Sequence, residues 1–416
     1  MSAVSTTAPA EGGTRGSPAG GEFVIRRIRD MAAGDEYATA WDSLAETAIE
    51  PNPYYERWML LPALQAVGGG STLEFVLVFR HDRSNVKAAP LLCGFFPLER
   101  YRRYRGLPVK TLRLCQHIYC SLGTPLLRQD YAPQTLEAFL DWLASRDSDC
   151  TLVEFPMLVG GGPCHQLLIE ALFSCRWLSL VTQQYTRALY RCGEEPSQYL
   201  AAMLSGKKRK HLRRQQELLS GLGRLEYAQL EDRSDLGVWV EEFLCLEASG
   251  WKGRAGTALA TVESHRCFFE SMAEEGFRRN RLLLSALRLD GQMIAGRAAV
   301  RAGSGSYLLK IAYDENYAKF SPGILLELEV IKHSARSVAE WTDSSTAPEN
   351  ALYKMLWRER RVIESRLVAP GRAPGGLVLS ALPLLSWGKR TLRRLHQRRP
   401  SGAVVAGKRR AVLEGT

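Results

Sequence analysis

Leu309-Lys-Ile-Ala-Tyr-Asp-Glu-Asn-Tyr-Ala-Lys-Phe-Ser-Pro-Gly323 is the stretch on which the fold turns. Its first residues belong to an apolar run from Ser306 to Tyr313 that reads as a strand with one cation, Lys310, set into it. Ser321, Pro322 and Gly323 then read as the start of a helix running to Ser337. Serine suits a cap, proline suits the first turn, and glycine lets another group approach the backbone. A strand that hands over to an open helix start makes a place for an anion, because the first N–H groups lack partners and the helix dipole is positive there. Lys319 adds a point charge. Taken alone, the Ser-Pro-Gly start reads more plainly as an ordinary capped helix, and Lys310 fits a solvent-facing position as well as a functional one.

Downstream, Val338–Asp343 reads as a strand, Ala351–Trp357 as a short helix and Arg361–Val368 as a last strand. Upstream, Leu282–Leu289 and Met293–Arg301 are strands joined by Asp290-Gly291, a hairpin signal. Before them come a strand from Arg224 to Leu230 and helices over Leu236–Ala248 and Val262–Arg279. The first half has the same order: a strand at Phe23, helices over Asp35–Ala48 and Tyr54–Val67, strands over Leu73–Phe79, Ala88–Leu98 and Thr111–Ile118, a helix over Tyr131–Ser145, a strand at Thr151–Phe155, a helix over Pro163–Cys175 and a strand over Leu178–Arg191. The repeat lies in element order, with little in the letters. It predicts an α/β (α+β) protein of two tandem domains, each a mixed central sheet flanked by helices. The expected units are residues 22–191, a basic helical connector over 192–223, residues 224–369, and a basic tail over 370–416. Residues 1–21, rich in Ala, Gly, Ser and Thr, are expected to be disordered. The Pro/Gly cluster from Ala369 to Gly376 marks the expected end of the folded body.

With 45% hydrophobic and 24% charged residues the chain is long enough to bury a core, and it resembles neither a disordered nor a membrane-spanning sequence. The N-terminus lacks the apolar segment of a signal peptide. No apolar run reaches the roughly 18–20 residues a spanning helix needs. Gly376–Trp387, followed by Lys389 and Arg390, reads as a segment that lies on a membrane surface or packs on the body. These features point to the cytoplasm, with peripheral contact at the inner membrane as the secondary expectation. The nine cysteines form no C-x-x-C pair and read as buried free thiols. The seven histidines are dispersed, so no metal site is expected. The net charge of +11 gathers in Lys207–Arg214 (Lys207, Lys208, Arg209, Lys210, Arg213, Arg214) and in the tail. Such runs favour phosphate-rich partners or are simply solvated. Gly160–Gly162, between a strand and a helix, reads as a flexible turn or a phosphate cradle.

The element order, together with Leu246-Glu-Ala-Ser-Gly-Trp-Lys-Gly253, Gly256-Thr257, Leu289–Gly296, Leu309–Gly323, Asp343 and Tyr353-Lys-Met-Leu-Trp357, resembles GNAT-type acetyltransferases of the CelD/BcsL family, linked to bacterial cellulose synthesis. Pro51–Trp58 and Pro97–Arg103 resemble that family's N-terminal half. The tandem arrangement is also similar to the FemAB aminoacyl transferases of peptidoglycan synthesis. The resemblance covers roughly residues 22–368 and implies acetyl-CoA, or another acyl-CoA, as co-substrate with no metal. It implies a diphosphate held by Lys319, Ser321, Pro322 and Gly323, and pantetheine amides pairing with Lys310, Ile311 and Ala312 like an added strand. Only Gly323 fits the usual Arg/Gln-x-x-Gly-x-Gly/Ala loop, so the match is incomplete there.

Acyl transfer needs a group to take the acceptor's proton and donors for the tetrahedral oxyanion. Glu247, Asp314 and Asp343 are the candidate bases, though the plainer reading of each is a structural cap or an ion pair. Trp251, Lys252 and Lys354 are candidates for the acceptor side, Lys354 alternatively as a partner of Asp343. The expected function is acyl-CoA-dependent N- or O-acyl transfer to a sugar, a polysaccharide precursor or another small amine or alcohol. The alternatives are FemAB-like transfer from an aminoacyl-tRNA, supported by the basic connector, and a non-catalytic scaffold in exopolysaccharide assembly with a membrane-contacting tail. Nucleic acid is not the expected partner.

Overall fold

Asp290 and Gly291 both adopt left-handed backbone, φ 49° and 82°, which turns the chain tightly enough to pair the strands on either side. That hairpin is one of several local devices building a sheet that runs through the whole molecule. The computed structural model describes residues 21–29, 36–67, 73–85, 87–334, 339–371 and 374–382. The expected disordered N-terminus, apart from Gly21, and the basic tail beyond 382 lie outside the described residues.

The first half comprises β1 (Gly21–Ile28), α1 (Ala38–Glu46), α2 (Arg57–Val67), β2 (Leu73–Asp82), β3 (Leu91–Tyr101), β4 (Thr111–Leu114), β5 (Leu126–Leu127), α3 (Ala132–Ala144), β6 (Leu152–Val159), α4 (Pro163–Ser174) and β7 (Leu178–Arg191). Two connecting helices follow, α5 (Pro196–Met203) and α6 (Gly206–Ser220). The second half comprises β8 (Leu225–Gln229), α7 (Leu236–Ser249), α8 (Trp251–Arg254), α9 (Glu263–Arg278), β9 (Leu282–Leu289), β10 (Gln292–Ala302), β11 (Gly305–Tyr313), α10 (Pro322–Lys332), β12 (Trp341–Asp343), α11 (Ala351–Leu356) and β13 (Glu359–Ala369).

The strands form one mixed sheet in the order β1-β2-β3-β4-β6-β13-β7-β12-β11-β10-β9-β8, with β5 pairing to β3. β13, from the end of the second half, lies between β6 and β7 of the first and runs antiparallel to both. β7 in turn pairs with β12 of the second half. The two element runs are therefore stitched together by an exchange of their closing strands. They are also joined by helix packing, since α2 lies against α9 and Ser264 Oγ donates to the Ala66 carbonyl at 2.8 Å. The largest buried cluster, from Trp41 and Phe95 to Phe243 and Val300, spans both halves.

The expected end of the folded body near residue 370 is corrected. Residues 374–382 are helical, and Leu379 and Leu382 are buried against Leu152 and Leu367. Apolar area removed from water is what holds this segment, a pull the Pro/Gly run before it gave no sign of. Among the described residues no helix is long and apolar enough to cross a membrane. Cys93, Cys115, Cys120, Cys150 and Cys164 are buried, whereas Cys175, Cys245 and Cys267 are exposed, against the expectation of burial.

Candidate active site

β11 and β12 run side by side only briefly. Gly305, Ser306 and Tyr307 pair in parallel with Trp341, Thr342 and Asp343, and there the pairing stops while β11 continues to Tyr313. On its other side β11 carries a bulge at Leu309, since Lys310 faces Ala298 and Leu308 faces Ala299. A bulge bends its strand and increases the local twist, and here it sits where β11 leaves its neighbour. The gap opens a cleft of about 500 Å³ lined by β11 from Leu308 to Tyr313, by Glu247, Trp251 and Lys252, and by the first residues of α10.

Lys310, Ile311 and Ala312 thus offer a strand edge to the cleft, where the sequence reading had placed them. The Ile311 carbonyl already accepts from Lys252 Nζ at 2.8 Å and keeps a second lone pair. Gly323 borders the same cleft. A Cβ added there would meet Ile311 Cδ1 and Tyr313 Cδ1 at 3.8 Å, so the helix start is open rather than filled by protein. The residues present fit a thioester arm along β11 with a diphosphate at the start of α10.

Ser321 is a correction. Its backbone is left-handed, φ 56°, and its side chain makes no capping bond. The chain turns sharply there from a 3-10 segment, Glu315–Phe320, into α10. Instead of its hydroxyl, the Ser321 carbonyl accepts from Ile324 N at 2.9 Å and Leu325 N at 3.1 Å. With Pro322 lacking an N–H, the Gly323 amide is the donor left at this helix start. Lys319 stands outside the lining of the cleft, its ammonium 4.9 Å from the Phe320 ring centre.

The three carboxylates separate clearly. Asp343 is fully buried and held by two guanidiniums, with Arg187 Nη2 at 2.7 Å and Arg361 Nη1 at 2.9 Å from Oδ2. Burial alone would raise its pKa, but these cations hold it below the usual carboxylate range. It is a structural ion cluster joining β7, β12 and β13, and the reading of Asp343 as the base is corrected: no acceptor reaches a carboxylate so enclosed. Asp314 is corrected too. It caps the 3-10 segment, accepting from Asn316 N at 2.9 Å, and stands outside the lining of the cleft. Glu247 alone borders the cleft. Its Oε1 lies 3.0 Å from Lys252 Nζ and 3.2 Å from Lys310 Nζ, and Oε2 accepts from Leu259 N at 2.9 Å. Burial would push its carboxyl up, yet the two ammoniums and that amide hold it below its ordinary value. Burial pulls the Lys252 ammonium down, with Glu247 opposing.

On the acceptor side, Trp251 is 56% exposed at the rim and its N–H donates to Glu315 Oε1 at 2.7 Å. Lys354 is exposed on α11, outside the cleft lining, and its expected pairing with Asp343 does not form because Arg187 and Arg361 occupy that carboxylate.

A second cavity, about 890 Å³, opens where the two halves meet. It shares Leu308, Leu309, Lys310 and Thr346 with the first, so the two join at the bulge of β11. Its other wall comes from residues the sequence reading missed: Tyr54, His117, Tyr119 and Tyr185 of the first half, with His265 and Phe268 of α9. Tyr119 stacks on Phe268 at 4.2 Å between ring centres. His117 is buried, which pushes its pKa down to about 4, so the ring is neutral at pH 7. Its Nδ1 accepts from Tyr119 N at 3.3 Å, which leaves the proton on Nε2. Among the described residues neither that nitrogen nor the Tyr119 hydroxyl has a hydrogen-bond partner. The clustered Gln116-His-Ile-Tyr119 after a short strand is the trace these residues leave in the sequence.

The Gly160–Gly162 turn does not cradle a phosphate. Glu50 Oε2 accepts from Cys164 N at 3.2 Å, and a Cβ on Gly162 would lie 2.8 Å from that oxygen, so a carboxylate of the chain already fills the start of α4. Among the described residues no group of three or more His, Cys, Asp or Glu could hold a metal ion.

The divided β11–β12 pair, the bulged β11 and the doubling of the element order define a tandem GNAT-like fold. Residues 206–355 match the acetyltransferase (GNAT) domain family. The crystal structure of FemX is similar over 82% of this chain and 96% of that chain, with 11% identity and a TM-score of 0.50, a likeness of fold alone. Also similar are the C-terminal domain (DUF2156) of a putative lysylphosphatidylglycerol synthetase from Agrobacterium fabrum, at 12% identity, 84% and 97% coverage and a TM-score of 0.47, and a tandem GNAT protein from the clavulanic acid biosynthesis pathway, at 13%, 85% and 100%, and 0.39. No curated protein matches the chain.

Proposed function

We propose that this chain is an acyl-CoA-dependent acyltransferase, acetyl-CoA being the first donor to test, that acylates an amine or hydroxyl of a small or saccharide acceptor. The observation that carries the proposal is the parting of β12 from β11 beside the open start of α10, which leaves a strand edge and a helix start facing one cleft. Residues 224–369 hold the donor, and residues 22–191 form one wall of the acceptor cavity. The pantetheine arm pairs along Lys310–Ala312, and the acceptor enters through the larger cavity. The two meet at the β11 bulge, where the Lys310 ammonium, positioned by Glu247, donates to the oxyanion of the tetrahedral intermediate. Glu247, held as an anion, is a positioning residue for Lys310 and Lys252. A polysaccharide precursor as acceptor, on the CelD/BcsL resemblance, remains part of this proposal.

Calorimetric titration with acetyl-CoA tests it, comparing the wild type with Gly323→Glu. A Cβ at Gly323 would meet Ile311 and Tyr313 at ordinary van der Waals distance, and the added charge repels the diphosphate. Wild-type binding that the variant loses by about a hundredfold, with an unchanged melting curve, supports the assignment. No wild-type binding, together with salt-sensitive binding of tRNA, favours the aminoacyl-tRNA reading instead.

A further inference from the structure

The start of α10 is short of donors. Pro322 has no N–H, and the Ile324 and Leu325 amides both bond the Ser321 carbonyl, which leaves Gly323 N as the free amide. Lys319, the nearest cation in sequence, lies over Phe320. A molecule ending in phosphates, bound here, needs positive charge from elsewhere.

α6 stands next to this point. Gln215 Nε2 donates to the Lys319 carbonyl at 2.8 Å, and Leu212 and Leu219 are buried in the same cluster as Phe320 and Leu325. At about 100° per residue, Lys207, His211 and Arg214 fall on the flank beside Gln215. The opposite flank carries Arg209, whose guanidinium bonds the Ala201 and Leu204 carbonyls at the end of α5. Lys207 and Arg214 are exposed, Lys208 is half-buried, and among the described residues no carboxylate pairs with any of them. The ion pair of this helix, Arg213 with Glu217, lies on the far side. The helix that packs on the segment leading into the Gly323 amide therefore carries cations without carboxylate partners among the described residues.

We infer that α6 binds the phosphate-bearing nucleotide end of the donor, with Lys207, Lys208 and Arg214 supplying the counter-charge that the start of α10 lacks. This rests on the acyl-CoA reading and adds a residue set to it. It assigns the basic connector to the donor rather than to a nucleic acid. The contact is electrostatic, partly solvated and screened by salt.

The test is calorimetry on the full chain with CoA and with pantetheine, which lacks the nucleotide and its phosphates, at low and high salt. Lys207→Glu/Lys208→Glu/Arg214→Glu is compared with the wild type, and circular dichroism checks that the helix persists. Expected is CoA binding weaker on the order of tenfold or more, a flattened salt dependence, and unchanged pantetheine binding. Unchanged CoA affinity in the triple variant overturns the inference while leaving the acyl-CoA reading intact, as does an equal loss of pantetheine. Wild-type protein that binds neither CoA nor pantetheine overturns both. Loss of tRNA binding in the variant with CoA binding unaltered reassigns the helix to nucleic acid.

Discussion

Glu50→Gln is the substitution whose consequence the structure states most fully. Glu50 is 7% exposed at the start of α4, where its Oε2 accepts from Cys164 N and Thr124 lies beside the carboxyl. Burial raises its pKa from the ordinary 4.5 to about 7, with the Cys164 amide and Arg361 opposing. In the unfolded chain the group releases its proton near 4.5. Between the two values the folded state binds more protons than the unfolded, so Glu50 makes stability fall as pH rises across that window and level off above it. A displacement of this size corresponds to about 3 kcal/mol. Glutamine has no proton to lose and keeps an oxygen for Cys164 N. The variant should match the wild type near pH 4.5 and exceed it by up to about 3 kcal/mol above pH 7. Urea unfolding at several pH values, taking the difference between the proteins so that other groups cancel, reads this directly. A difference that does not change with pH, or a variant less stable at pH 8, would refute the argument that a desolvated carboxyl occupies this helix start.

Two further substitutions separate structural from chemical carboxylates. Asp343→Asn leaves Arg187 and Arg361 buried without their anion and should cost about 3–5 kcal/mol, seen as a lower unfolding midpoint; intact stability with lost transfer would restore Asp343 as a base. Glu247→Gln frees Lys310 and Lys252 from their anchor and should lower CoA release from acetyl-CoA, measured across a panel of amine and sugar acceptors, by about a hundredfold, while CoA binding at Gly323 stays within about threefold.

The second half is legible from its letters because each element is decided locally. β9 falls on the predicted residues, β11 differs from prediction by one residue at one end, and α9 and β10 differ by one residue at each end. Hairpin chemistry at Asp290-Gly291 and helical spacing in Val262–Arg279 act over a few residues, within reach of pattern. Failures came where distant residues decide. Asp343 looked available because its partner Arg187 stands 156 positions away and meets it only through the β7–β12 pairing. Ser321 looked like a cap because sequence does not reveal the left-handed backbone a preceding 3-10 segment imposes. The cavity wall of His117, Tyr119 and Tyr185 arises only once the halves close on each other. The cleft beside β11 was therefore partly readable in advance, with Ser321 and Lys319 misread, and the cavity between the halves was not.

The lodging of β13 between β6 and β7 has a consequence for biogenesis. Until residues 359–369 have left the ribosome, β6 and β7 lack the strand that joins them. The nascent first half must wait with unpaired edges exposed, the condition that invites misassociation and chaperone capture. A nonsense codon anywhere before β13 would thus leave the upstream fragment unable to complete its own sheet.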